Sequence, residues 1–400
     1  MRIAYVTQWF EPEPNIVKGI AFVQALEAAG HEVTVVTGFP NYPSGQIYSG
    51  YRLRLVQHET IGGVRVIRLP LYPSHNRSSL QRSLNYLSFF LSALAYLTLR
   101  RSRFDLAYVY HPPITVGLAA ALSRIPFVLD VQDLWPDMIA AADMKGASKL
   151  VGSVGRCCRF VYARAMAIVT QSKGMRHALI ARGVPGEKLS VIRNWATDEP
   201  ASALGTSSAE RFTVAYGGNF GPAQQLCNLI KAAAILERQR PDIRIALYGS
   251  GVDDEALRGE ADRLRLTNVT FAGRVPAAAI AREFARSDAL LLHLAADPLF
   301  AITIPSKTQY YLAMGRPIVA AVSGEAAQLL RDSGAALVVP PADPNALAAA
   351  IMQLAERPRA EREQMGQAGA RFYREHLSFS RGTRRTIALL EGTYKALAVG

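Results

Sequence analysis

At 400 residues the chain is longer than one hydrophobic core usually fills, so two domains of similar size are expected. Half of the residues are hydrophobic and only 19% are charged, which excludes a disordered protein and suits packed α/β layers. The net charge of +13 calls for an anionic partner: nucleic acid, a phospholipid surface or phosphate-bearing substrates.

Nucleic acid is disfavoured, because the chain has no zinc-type Cys spacing, no aromatic RNA-binding signature and no concentrated Lys/Arg tail. Cys157, Cys158 and Cys227 form neither paired spacings nor a C-x-x-C motif, which fits a reducing compartment; cytoplasm is expected. The opening MRIAYVTQWF runs directly into a strand without the apolar segment and cleavage site of a signal peptide.

In chain order, an apolar strand from Ile3 to Thr7, a Pro-rich loop, a helix from about Gly19 to Ala29 and a strand from Val33 to Thr37 make a β-α-β unit. Further strands are expected at Val64 to Arg68, Leu106 to Tyr110, Phe127 to Val131 and Ile168 to Thr170. That alternation predicts a parallel sheet covered on both faces. The polar stretch from Trp195 to Ser208 reads as a linker, giving a first domain over 1–197. A second series of strands follows: Phe212 to Tyr216, Ile243 to Tyr248, Val269 to Ala272, Ala289 to His293, Ile318 to Ala321 and Leu337 to Val339. Two Rossmann-like domains in tandem are the simplest account, the second over 209–379, with a last helix near 380–400 packing back on the first.

Leu84 to Leu99 is nearly uncharged and ends in Arg100, Arg101 and Arg103. It is too short to span a bilayer comfortably. Two readings stand: a buried helix, or a helix lying in the interface of an anionic membrane.

Several strand ends carry candidate chemistry. Gly217-Gly218-Asn219-Phe220-Gly221 is either a backbone cradle for a phosphate or an ordinary tight turn. Pro305-Ser306-Lys307 puts a hydroxyl and an ammonium at a helix start, a phosphate site unless Lys307 is merely a surface lysine. Ser323-Gly324-Glu325 is a third such loop or a simple helix cap. In the first half, Asp133 within Asp130 to Asp137 is a base or sugar-hydroxyl clamp, or a helix cap, with Trp135 beside it. His111 follows another strand and is either a ligand or a structural histidine. No Asp-x-Asp occurs, so no metal-holding device of that kind is expected.

With these segments together the chain resembles the family 4 glycosyltransferases, most of all the fucosamine-transferase-like, colanic-acid-type branch of bacterial surface-polysaccharide biosynthesis. The resemblance is carried by GHEVTVVTGFPNYP (Gly30 to Pro43), YHPP (Tyr110 to Pro113), QDLWPD (Gln132 to Asp137), YGGNFG (Tyr216 to Gly221), IPSKTQYYLAMGRPIVA (Ile304 to Ala320) and VVPPADPNAL (Val338 to Leu347). It implies a GT-B fold, two Rossmann-like domains facing a cleft, and retaining transfer without metal or cofactor from a nucleotide sugar, UDP-linked by expectation. The acceptor implied is a lipid-linked saccharide, at the inner face of the cytoplasmic membrane. The donor contacts implied are Gly218, Asn219, Gly221, Gly249, Ser306, Lys307, Gly324 and Glu325; those of the acceptor are Lys18, Gly19, Gln132 and Trp135, with Asp133 and His111 catalytic.

The chain departs from the family at its Glu-x7-Glu pair, where Ile302 and Tyr310 stand, and after the Gly-rich turn, where Gln224 and Gln225 replace basic residues. Two other functions therefore stay in play: a sugar-nucleotide epimerase of the same architecture, and a non-catalytic nucleotide-sugar-binding scaffold.

Overall fold

A computed structural model of the chain describes residues 1–14, 17–74, 79–111, 113–137, 147–196 and 211–399. The chain divides into two compact units, one of Met1–Arg193 with Ser380–Gly400, the other of Asn194–Phe379.

The first unit holds an eight-stranded sheet in the order β3-β4-β2-β1-β5-β6-β7-β8. Its strands are β1 (Arg2–Val6), β2 (Glu32–Gly38), β3 (Gln57–Ile61), β4 (Val64–Leu69), β5 (Leu106–His111), β6 (Phe127–Val131), β7 (Ala167–Thr170) and β8 (Leu189–Val191). All pair in parallel except β3 with β4. Ile3, Ala4, Tyr5 and Val6 are wholly buried, as expected of a central strand covered on both faces. Helices α1 (Ile20–Ala28), α2 (Ser79–Leu99), α3 (Ile114–Ser123), α4 (Ala147–Arg164) and α5 (Lys173–Ala181) supply the cover.

Two strands of this sheet were not anticipated. QHETI of β3 alternates polar and half-buried residues at the sheet edge, so it lacks the apolar run of its neighbours. The signal for it was Gly62-Gly63, whose φ angles of 54° and 88° make the two-residue turn joining β3 to β4. β8 is three residues long and too short to read.

The second unit holds a six-stranded parallel sheet in the order β11-β10-β9-β12-β13-β14. Its strands are β9 (Phe212–Asn219), β10 (Ile243–Ser250), β11 (Val269–Gly273), β12 (Ala289–His293), β13 (Ile318–Ala321) and β14 (Ala336–Val339). Between and after them run α6 (Cys227–Gln239), α7 (Asp254–Arg263), α8 (Ala277–Arg286), α9 (Pro298–Ala301), α10 (Ser306–Met314), α11 (Gly324–Asp332), α12 (Pro344–Glu356) and α13 (Arg359–His376), while α14 (Phe379–Val399) belongs from Ser380 onward to the first unit. Trp195, expected in the linker, is instead buried here, edge-on to Phe379 at 5.4 Å between ring centroids. The rest of that linker, from residue 197, lies outside the described residues.

α2 is neither wholly buried nor wholly apolar surface. Asn85, Phe89, Ala93 and Leu97 face the core, while Leu80, Leu84, Leu87, Leu91 and Leu99 form an exposed row at helical spacing. No helix among the described residues is long and apolar enough to cross a membrane.

Candidate functional site

In the second unit the strand order reverses between β9 and β12. Open parallel sheets bind ligands beyond the carboxyl ends of strands at such a reversal. β9 ends there in Gly217, Gly218 and Asn219, paired with Tyr248, Gly249 and Ser250 of β10. Gly218 and Gly249 have φ angles of 137° and 142°, which side chains rarely adopt. A Cβ on Gly249 would stand 1.8 Å from the Gly218 carbonyl oxygen, and one on Gly218 would stand 2.4 Å from Lys307 Nζ. Gly249 is required by the Gly218 backbone beneath it and by its φ, and Gly218 by its φ, with the end of the Lys307 side chain lying over it.

Lys307 arrives from the first turn of α10. Its Nζ donates to the Tyr216 hydroxyl at 2.6 Å and lies 4.1 Å from the centre of that ring. Burial lowers its pKa to about 7. α10 is held in register by Gly217 N, which donates to the Tyr311 hydroxyl at 3.1 Å. Pro305 at the head of α10 makes no side-chain capping bond, so its first-turn N–H groups suit an anion.

The loop after β9 is secured from β12. His293 is buried, and its Nδ1 donates to the Gln224 carbonyl at 2.8 Å while Ala295 N donates to the Ala223 carbonyl at 2.9 Å. Burial takes the His293 pKa down to about 4, so the ring is neutral. With the proton on Nδ1, Nε2 is an acceptor, buried without a partner among the described residues. Asn219 Nδ2 donates to Gln224 Oε1 at 3.3 Å, and Gly221 is packed beneath Asn219. Arg274, just past β11, donates through Nε to the Ser250 hydroxyl. Gly324 and Glu325 begin α11 beyond β13, where the helix N-terminus favours the carboxylate.

In the first unit the order reverses between β1 and β5. Asp130, near the end of β6, is fully buried and accepts from the Tyr108 hydroxyl at 2.6 Å, from Gln132 Nε2 at 2.7 Å and from Lys18 Nζ. Gln171 Nε2 donates to the Gln132 carbonyl at 2.7 Å, and Arg182 donates to the Trp135 carbonyl at 3.2 Å and to Asp137 Oδ2 at 2.5 Å. The segment 132–137 is thus pinned at both ends, with Asp133 between. Burial raises the Asp133 carboxyl above the ordinary range.

Residues 21–195 match the glycosyl transferase 4-like domain family, and residues 211–357 match the glycosyl transferases group 1 family. The putative colanic acid biosynthesis glycosyl transferase WcaI of Escherichia coli is 29% identical over 354 residues, 83% of this chain and 86% of that one. The fold is shared with Anabaena HepE, solved in complex with UDP and glucose (TM-score 0.68, 18% identity, 98% and 99% of the two chains). It is also shared with the sucrose-phosphate synthase of Thermosynechococcus elongatus (TM-score 0.75, 18% identity, 99% of each). The chain belongs to the family 4 glycosyltransferases of GT-B fold.

In this glycosyltransferase, Gly218, Gly249 and Lys307 meet at one point, Ser306 adjoins them, and Asn219 and Gly221 shape the neighbouring loop. Gln132, Asp133 and Trp135 share the segment after β6. Two acceptor residues need correction. Lys18 has no exposed surface, because its ammonium is consumed by Asp130 and Tyr108 inside the core. Gly19 is buried against Glu11, whose Oε1 accepts from Ile20 N at 2.7 Å and fills the N-terminus of α1. His111 closes β5, and its side chain lies outside the described residues.

Sequence reading missed Tyr216, His293 and Arg274. Tyr216 precedes the glycines that end β9, His293 ends β12 and Arg274 follows β11, which was the available signal, but only the folded register brings them to one edge.

Proposed function

We propose that the protein transfers a sugar, with retention at the anomeric carbon and without metal, from UDP to a lipid-linked saccharide in making a bacterial surface polysaccharide. The second unit holds the donor and the first the acceptor. One observation carries this reading: a part-buried ammonium at the carboxyl end of β9, desolvated toward neutrality and laid over glycine backbone. A diphosphate there supplies the negative counter-charge that favours the Lys307 ammonium. The likeness to a colanic acid biosynthesis glycosyl transferase supports the polysaccharide role, and the UDP complex of HepE supports the base.

The chemistry is a front-face displacement. The acceptor hydroxyl oxygen bonds to the anomeric carbon on the face from which UDP departs, the bond to the β-phosphate oxygen breaks, and that oxygen takes the hydroxyl proton. Lys307, the α10 N-terminus and Arg274 stabilise the departing diphosphate, while Asp133 orients the acceptor hydroxyl.

Calorimetry with UDP-, GDP- and dTDP-sugars in the presence of EDTA tests the donor half. UDP-sugar binding that survives the chelator, and that Lys307→Ala weakens by ~10- to 100-fold, is expected from loss of a charge-assisted contact of about 1.5–3 kcal/mol. Equal binding by the variant would remove Lys307 from the site. A nucleotide sugar consumed without acceptor and converted to an epimer would favour the epimerase; binding with no turnover on any acceptor would favour the scaffold.

A membrane surface is the second partner proposed. The exposed leucine row of α2 carries no acidic residue along its length and runs into Arg100, Arg101 and Arg103, a pairing suited to an interface bearing anionic headgroups.

A further inference from the structure

Four aromatic side chains from four separate segments meet beside Asp133, and the transfer chemistry above uses none of their rings. Trp9 follows β1, Tyr42 follows β2, Tyr86 lies on α2 and Trp135 follows β6. Ring centroids stand 5.7 Å apart for Trp9 and Tyr42, 6.4 Å for Trp9 and Tyr86, and 6.4 Å for Tyr86 and Trp135. All four are part-exposed, so they are not simply core.

The polar groups among them are incomplete. Among the described residues, Trp135 Nε1–H is buried without a hydrogen-bond partner, and the Asp133 carboxyl, whose charge adds to the burial that raises the Tyr86 and Tyr110 phenols, is itself raised by burial with no donor to offset it. An apolar cluster would not keep an N–H and a carboxyl in that condition, since each costs free energy until paired.

The supports of the rings are, by contrast, held by several hydrogen bonds each. The buried carboxyl of Glu13 accepts from Phe10 N at 3.1 Å and from Asn41 N and Tyr42 N at 2.8 Å each, locking the Trp9 loop to the Tyr42 loop. Asn85, next to Tyr86, accepts from Gln8 Nε2 at 2.5 Å and donates to Asn41 Oδ1 at 3.3 Å and to the Tyr72 carbonyl at 2.7 Å. A rigid frame with unmet polar groups in its centre is the build of a preorganised binding site.

We propose that Trp9, Tyr42, Tyr86 and Trp135 form the subsite that seats the acceptor's terminal pyranose. The C–H face of the sugar packs on the rings, a ring hydroxyl accepts from Trp135 Nε1, and a hydroxyl beside the reacting one donates to Asp133. A lipid tail would leave both polar groups unmet, which is why a saccharide is the occupant. The inference rests on the transferase reading and sets the specificity-determining residues of its acceptor side.

Trp9 and Trp135 are two of three tryptophans, and the third, Trp195, is buried in the second unit. Titrating the full-length protein with glucose, galactose, fucose, N-acetylglucosamine and their methyl glycosides, followed by tryptophan emission, therefore reads this cluster directly. A saturable change with one or more sugars is expected, with its midpoint raised about tenfold in Trp9→Ala and Tyr86→Ala by loss of a stacking contact, retained in Tyr86→Phe, and with UDP affinity unaltered throughout. No response to any sugar at tens of millimolar by the unsubstituted protein, or an unchanged midpoint in a Tyr86→Ala protein that melts cooperatively, overturns the subsite. UDP binding without a sugar response defeats the subsite alone; a sugar response without UDP binding defeats the donor reading and leaves the subsite standing.

Discussion

Lys307 is a cation with the wrong surroundings for a charge, and that mismatch has a measurable sign. Burial has brought its pKa from 10.5 to about 7, whereas a bound diphosphate favours the ammonium and raises it again. Binding above pH 7 must therefore take up a proton. The Kd for UDP is expected to change little through Lys307 below about pH 6 and to rise toward tenfold per unit between about 7.5 and 9, by calorimetry in two buffers of different ionisation enthalpy. Lys307→Arg, charged at every pH in that range, should abolish the slope. Lys18 offers the opposite case, a buried cation already paired. Lys18→Met should cost about 3–5 kcal/mol in urea unfolding by stranding Asp130, with UDP affinity unaltered. A change in UDP affinity without loss of stability would contradict the core role. The two lysines are indistinguishable by residue type, and both were placed in the site from the sequence. What separates them is the partner: Asp130 lies 112 positions along the chain from Lys18, a pairing that no local pattern encodes.

At the scale of elements, α2 is the segment for which the buried-helix reading describes one face only, the other being exposed. Helical periodicity places Phe89, Ala93 and Leu97 inward and Leu84, Leu87 and Leu91 outward, yet both faces are apolar, so hydropathy could not tell buried from exposed. The exposed row should bind phosphatidylglycerol vesicles in sedimentation. Replacing Leu84, Leu87 and Leu91 with Ser should reduce the bound fraction about tenfold or more while leaving the melting temperature within a few degrees, because these side chains contribute little to the core. Retained binding would move the contact to another surface. Elsewhere the strands with apolar runs were legible from sequence, β1, β2 and β9 among them, because a buried parallel strand must be hydrophobic on both faces. β3 was not, since an edge strand with one solvated face carries polar residues such as His58 and Thr60.

At the scale of the whole molecule, the first unit is completed by residues from the far end of the chain. α14 buries Leu390, Thr383 and Thr386, and brings Glu391 within 3.5 Å of His31. Deleting 380–400 should lower the melting temperature of the first unit by ~10 °C, on the order of 3 kcal/mol, while UDP binding by the second unit persists. Loss of UDP binding together with that transition would mean that the donor site depends on the first unit's fold. The sequence by itself determined the class of fold, the two sheets and the identity of the family, because hydrophobic periodicity and short glycine- and proline-bearing segments are local properties. Tertiary structure alone decided which strand ends stand together: Tyr216, Gly218, Gly249 and Lys307 at one sheet, and Trp9, Tyr42, Tyr86 and Asp133 at the other. The reason is physical. Strand order and register are set by long-range packing, and a site at a topological reversal is assembled from loops that sequence distance keeps apart.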